Sequence, residues 1–204
     1  MSQHSKHAHD RHGARQKERF NPERAAKLDD PARFEYLPAQ DIERLLEVPA
    51  GGTLVDFGTG NGTYAVELAR LRPDIRVVAL DELPEMLDRL CAKPALAALT
   101  NIKPMLASEI GDFKEKIDRV LALNVLHELG DEALRDIGSL LNRDGAALFI
   151  DWNAGVERPA GPPADHLYTP LEARTRLERI GFTIEGEHSF PYHYGFNSRW
   201  GLRW

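Results

Sequence analysis

The chain has 204 residues, 42% apolar and 28% charged, with a formal net charge of −6. At roughly 150 residues per domain this is one domain, or one domain with an extension, of ordinary globular composition. The lone cysteine, Cys91, excludes an internal disulfide and a multi-cysteine metal cage, and it fits a reducing cytoplasm. Apolar runs reach five residues, as in 146–150, against the about 20 that a membrane helix needs. Residues 1–30 carry seven Lys/Arg and five Asp/Glu. The rest is therefore more acidic than the whole, which argues against broad binding to nucleic-acid phosphates.

Residues 1–16 are polar and hold four of the eight histidines. They read as a disordered tail, with metal binding by the His-rich tract as the other option. They lack an apolar core, so they do not read as a secretory signal. Residues 17–37 carry scattered Phe20, Leu28, Phe34, Tyr36 and Leu37, and read as a lid or a packing segment. The domain proper is expected over 38–204. It opens with a helix whose Ile42, Leu45 and Leu46 share a face. Residues 53–57 read as a buried strand that runs into Gly58-Thr59-Gly60-Asn61-Gly62, and a helix follows over 63–70. A second strand over 76–80 ends at Asp81, and Pro84 opens a helix with Met86, Leu87 and Leu90 inward. Residues 102–106 read as a third strand, weakened by Pro104. A fourth strand is expected over 118–123, then a helix with Leu134, Ile137, Leu140 and Leu141 on one face, stopped near Asn142 and Gly145. A fifth strand follows over 146–150. After a Gly/Pro-rich loop over 155–163, Thr169-Pro170-Leu171-Glu172 reads as a capping box opening a helix to Ile180. Residues 182–187 and 194–204 are expected to pair as antiparallel strands. Strands alternating with helices make this an α/β domain with a largely parallel sheet.

The glycine loop lies where a first strand hands over to a helix, and in such sheets ligands bind beyond the carboxyl ends of the strands. A dinucleotide loop wants Gly-x-Gly-x-x-Gly. Here the sixth residue from Gly58 is Thr63, and Asp56 precedes the loop. That carboxylate would repel a pyrophosphate and suit a cationic ligand such as S-adenosylmethionine; serving only as a helix-dipole partner or a loop-stabilising acceptor is the other option. Asp81, at the end of the second strand, can accept both hydrogens of a ribose diol. Glu82 could substitute for it. Met86 could touch an adenine face or belong to the core.

The residues then resemble a class I S-adenosylmethionine-dependent methyltransferase, of the small-molecule branch near ubiquinone-biosynthesis-type (type 11) enzymes. The resemblance rests on Val55-Asp56-Phe57-Gly58-Thr59-Gly60-Asn61-Gly62, on Ala79-Leu80-Asp81-Glu82-Leu83-Pro84-Glu85-Met86-Leu87, and on residues 118–129 with Asn124-Val125-Leu126-His127. It implies a Rossmann-like seven-stranded, mostly parallel sheet with an antiparallel last strand and helices on both faces. It implies S-adenosylmethionine as cofactor, with Gly58, Thr59, Gly60, Asn61 and Gly62 around its methionyl part, Asp81 on the ribose, Ala107 or Ser108 near the adenine, and Asn124 with Val125 beside the methionyl end. Leu106-Ala107-Ser108-Glu109 departs from the family here, since an Asp that accepts from the adenine amine often stands at this turn.

Methyl transfer from a sulfonium is an in-line displacement in which the protein chiefly positions donor and acceptor. A base is needed only if the acceptor must lose a proton. His127 and His193 are the candidates for that role, each with a packing role as its alternative. Asp151, Trp152, His166 and Tyr192 are candidates to line the acceptor site. No metal ligand set is expected in the domain. The sequence thus points to a cytoplasmic enzyme methylating a small molecule. The alternatives are a binding protein of the same fold without turnover, an RNA or protein methyltransferase, and a nicotinamide-dependent oxidoreductase.

Overall fold

A computed structural model describes residues 27–201. The tail expected over 1–16 and the first part of the 17–37 segment lie outside the described residues. Seven strands form one sheet in the order β3-β2-β1-β4-β5-β7-β6. They are β1 (Thr53–Phe57), β2 (Arg76–Asp81), β3 (Ile102–Leu106), β4 (Ile117–Leu123), β5 (Leu141–Trp152), β6 (Phe182–Ser189) and β7 (His193–Trp200). β1 to β5 pair in parallel, and β7 runs antiparallel to both β5 and β6. This is the expected Rossmann-like architecture.

The helices are α1 (Arg33–Tyr36), α2 (Ala39–Leu46), α3 (Thr63–Leu71), α4 (Pro84–Cys91), α5 (Asp131–Leu140) and α6 (Pro170–Ile180). They cover both faces because side chains alternate along each strand. Leu54, Leu121, Leu148 and Ile150 enter one core with α2, α3 and α4. Val55, Val120, Ala122, Ala147 and Phe149 enter the other, with α5 and α6. α6 begins at the expected capping box: Thr169 accepts from the Glu172 N–H and the Glu172 carboxylate accepts from the Thr169 N–H. Burying the apolar stripes of these helices is the main stabilising term, at about 25 cal/mol per Å².

β3 keeps the expected bounds, while several other boundaries differ from the sequence reading. Pro104 does not interrupt β3, because β3 is an edge strand whose one partner is β2, so the absent N–H breaks no ladder. β5 begins at Leu141 rather than at 146. Ile117 pairs with Leu141 and Arg119 with Ala146, so residues 142–145 bulge out of the ladder. That excursion is tied down by Asn142, whose Nδ2 donates to Asp118 Oδ1 at 2.7 Å and whose Oδ1 accepts the Asp144 N–H at 2.9 Å. α5 therefore passes into its strand with no separate loop. β6 runs on to Ser189, and β7 starts at His193.

The strand order reverses direction between β1 and β4. In such sheets the ligand crevice lies at this switch point, beyond the carboxyl ends of the strands.

Candidate active site

The glycine loop leaves β1 through three left-handed residues: Gly58 at φ +74°, Gly60 at +58° and Gly62 at +73°. A side chain at Gly58 would also strike Val125, whose Cγ1 would lie 2.7 Å from its Cβ. The β1 and β4 loops thus touch, and only glycine allows both the backbone and the approach. The loop amides are already occupied. Gly58 and Thr59 N–H both donate to Leu80 O at 2.9 Å, and Gly62 N–H donates to Thr59 O at 3.0 Å. Gly60 N–H donates to Asp81 Oδ2 at 2.7 Å. Four of the five loop N–H groups are therefore spent inside the protein, which is the opposite of a phosphate cradle.

What the crevice offers is acceptors. Asp56 is buried, with one hydrogen bond from Thr59 Oγ1 at 2.6 Å. Burial pushes its carboxyl up to about 6, with the nearby Asp81 charge adding to that and Thr59 opposing it. Asp81 is buried too, and burial raises its pKa against the stabilising Leu83 and Gly60 amides. Asn124, at φ +58°, closes β4, and its N–H donates to Ile150 O at 2.8 Å. Its side-chain Oδ1 is buried with no hydrogen-bond partner. A ligand bearing an ammonium, a sulfonium and a ribose diol supplies what these acceptors lack, so the residues fit S-adenosylmethionine. A pyrophosphate would meet two carboxylates and few free amides.

The remaining expected cofactor residues fall around this crevice less evenly. Met86 is buried on α4, its Cε 3.6 Å from where a Gly60 Cβ would stand, so it supports the loop from within the core. Asn61 is buried, with its Oδ1 2.9 Å from Thr63 Oγ1. Glu82 and Ser108 are exposed, and Ala107 is half-buried at the end of β3.

Beside the crevice, the end of β5 and the start of β7 bring together most of the expected acceptor-side residues. Asp151 is fully buried. Its carboxylate meets His127 Nδ1 at 2.9 Å and accepts the His127 N–H at 2.8 Å and the Trp152 N–H at 2.7 Å. His127 Nε2 lies 3.5 Å from Glu128 Oε1. Burial alone would strip the proton from His127, but the two carboxylates outweigh it and hold the imidazole up at about 10. His193 is the reverse case. It is 2% exposed, both ring nitrogens lack partners, and burial pushes its pKa down to about 4. Trp152 packs on it with centroids 4.0 Å apart, and Tyr36 stacks on it at 5.8 Å and 11°. Tyr192 meets Tyr36 edge-on at 5.5 Å. His166 stands apart in this respect, half-buried at the end of the turn Ala164–His166 before α6.

Three residues that shape the site have no such role in the sequence reading. The sequence places Tyr36 only in a lid or packing segment, yet it completes the aromatic group. Arg33, a lone Arg in a polar stretch, carries no signal of its own; it lies on the segment that crosses the glycine loop. Arg176 also carries weight. Its guanidinium donates to Leu126 O and Leu129 O at 3.0 and 2.6 Å and pairs with Asp131. It thereby fixes the loop that presents His127.

Comparisons with known proteins bear on the family and the fold. A family model described as a methyltransferase domain matches residues 11–194. The chain is 34% identical over 117 residues to a ribosomal RNA small subunit methyltransferase G from Deinococcus radiodurans, covering 52% of this chain and 46% of that one. It is 34% identical over 113 residues to the O-methyltransferase pgmB of Aspergillus terreus, covering 50% and 31%. A crystal structure of an S-adenosylmethionine-dependent methyltransferase from Aquifex aeolicus superposes with a TM-score of 0.79 at 25% identity, over 88% of this chain and 98% of that one. The fold is that of class I S-adenosylmethionine-dependent methyltransferases, and the chain belongs to the methyltransferase-domain family. It spans about half or less of the length of these curated relatives.

Proposed function

We propose that the protein transfers the methyl group of S-adenosylmethionine to a small-molecule acceptor seated against Tyr36, Trp152, Tyr192 and His193. The observation that carries this reading is the balance of the crevice: its amides are spent internally, while Asp56, Asp81 and Asn124 Oδ1 offer acceptors. Asp56 would hold the ammonium and Asp81 the ribose hydroxyls. Gly58, Thr59, Gly60, Asn61 and Gly62 let the ligand close on the backbone, Asn124 and Val125 flank its methionyl end, and Ala107 and Ser108 flank the adenine. The cofactor supplies a methyl group already activated on a positive sulfur.

The protein's own contribution is then chiefly orientation, which can be worth on the order of 7–11 kcal/mol. The two histidines divide the work because their surroundings push their proton affinities apart. His127, clamped between Asp151 and Glu128, keeps its proton at neutral pH, so it orients the β4 loop and donates hydrogen bonds. His193 stays neutral and keeps a ring nitrogen able to accept from an acceptor hydroxyl. Trp152 and Tyr192 supply flat apolar walls, with His166 on the loop nearby. The O-methyltransferase relative supports a hydroxyl acceptor. The ribosomal RNA methyltransferase relative points to RNA, against which the chain's net charge of −6 weighs.

The test is to incubate the protein with methyl-labelled S-adenosylmethionine and separated fractions of a cell extract. Label entering the small-molecule fraction supports the proposal. Label confined to RNA or protein replaces the acceptor. Binding with no label transferred to any fraction leaves a cofactor-holding protein instead of an enzyme.

A further inference from the structure

Segment 27–37 crosses the mouth of the crevice and is fastened on both sides of the glycine loop. Leu28 Cδ1 lies 3.0 Å from where a Gly60 Cβ would stand. Asp29 pairs with Lys93 and accepts from Thr63 Oγ1 at 2.9 Å. Phe34 meets Tyr64 edge-on at 5.1 Å, and Tyr64 donates its phenol hydrogen to Leu37 O at 2.9 Å. Tyr36 reaches across to His193. Arg33 is held in the middle of this span. Its Nη1 donates to Leu28 O at 2.9 Å, and its guanidinium lies over the Tyr64 ring, 5.2 Å from the centroid.

Arg33 has no carboxylate partner among the described residues, yet its charge is felt at Asp56 on one side and at His193 on the other. The neighbouring cations are engaged elsewhere. Lys93 is paired with Asp29, Arg158 is turned to the carbonyls of Asn153, Val156 and Pro162 in its own loop, and Arg176 is paired with Asp131. A guanidinium lying on an aromatic face, bonded to Leu28 O and to the Tyr36 side chain, still has donors left for a planar anion. The proposed cofactor carries one such group, the carboxylate of its amino-acid head, next to the ammonium assigned to Asp56.

We propose that Arg33 holds the carboxylate of the cofactor's methionyl head opposite Asp56, which makes segment 27–37 part of the cofactor seat. The assignment rests on the methyl-donor reading above. Arg33 and Asp56 together then form a two-sided grip on an α-amino acid, and adenosine ligands without that head are the ones the grip ignores.

The experiment is titration calorimetry of the wild type, Arg33→Met and Arg33→Lys with two probes. S-adenosylhomocysteine has the amino-acid head; 5′-methylthioadenosine keeps the adenosine and thioether but lacks it. Removing one partner of a half-buried charge pair should weaken S-adenosylhomocysteine by about 10-fold or more in Arg33→Met and less in Arg33→Lys. Binding of 5′-methylthioadenosine should not change. In the wild type, converting the ligand's carboxylate to a carboxamide should cost a similar factor, a readout that does not depend on any variant folding. Equal weakening of both probes would show that Arg33 merely fastens the segment, and an unchanged S-adenosylhomocysteine affinity would remove Arg33 from the site; either overturns the proposal. Failure of the wild type to bind either probe would bring down the methyl-donor reading itself, and this assignment with it.

Discussion

Asp151 takes both the ring and the backbone of His127, with Nδ1 at 2.9 Å and the N–H at 2.8 Å from the same carboxylate oxygen. Both side chains are nearly sealed from solvent, at 7% and 1% exposure. The pair joins the loop after β4 to the end of β5. Removing one partner strands the other charge, so His127→Leu should cost about 3–5 kcal/mol in urea unfolding.

The pair also sets a pH dependence. The folded-state pKa of His127, about 10, stands above its ordinary value of 6.5. Its contribution to stability is therefore complete below about 6.5 and is lost as the pH rises through about 10. Urea midpoints of the wild type should fall over that window. His127→Gln should start lower and lose this part of the slope. A wild-type slope that persists in the variant would assign it to other groups.

Asp56 makes the opposite demand on the cofactor. Its folded pKa of about 6, raised from 3.8, means that protonation stabilises the free protein below 3.8 and that this stability is lost as the pH rises through 6. A ligand's ammonium needs the ionised form. The affinity for S-adenosylhomocysteine should thus fall as the pH drops below about 6, approaching tenfold per pH unit. Asp56→Asn should bind weakly and without that dependence.

Gly138 reverses a general rule. In the last turn of α5, where Gly138 lies, alanine should ordinarily improve on glycine by up to about 1 kcal/mol. Here a Cβ would lie 2.1 Å from Trp200 Cδ2, in a rigid ring of β7. Gly138→Ala should therefore lower the melting temperature, by overpacking worth about 1–3 kcal/mol. Adding Trp200→Leu should recover part of the loss. A more stable single variant would mean that the ring moves aside freely.

The parts legible in the sequence are those whose signal is local. The glycine loop, Asp81 at a strand end, and the Thr169-Glu172 box each announce themselves within a few residues, and the alternating apolar runs give the sheet. The excursion over 142–145 was illegible because it depends on Asn142 meeting Asp118, 24 residues away. The His127–Asp151 pair has the same separation, so each was a candidate alone while their partnership was not. Arg33 and Tyr36 gain their meaning only from where the segment lies, over a crevice built by residues much later in the chain. The opposed proton affinities of His127 and His193 likewise come from burial and neighbours that no spacing in the sequence records.

The most direct test of the account is a titration of the purified protein with S-adenosylhomocysteine and, separately, NADH. The acceptor-rich crevice predicts micromolar binding of S-adenosylhomocysteine, weakened in Asp56→Asn, and no binding of NADH. Binding of NADH alone, or of neither ligand, would contradict it.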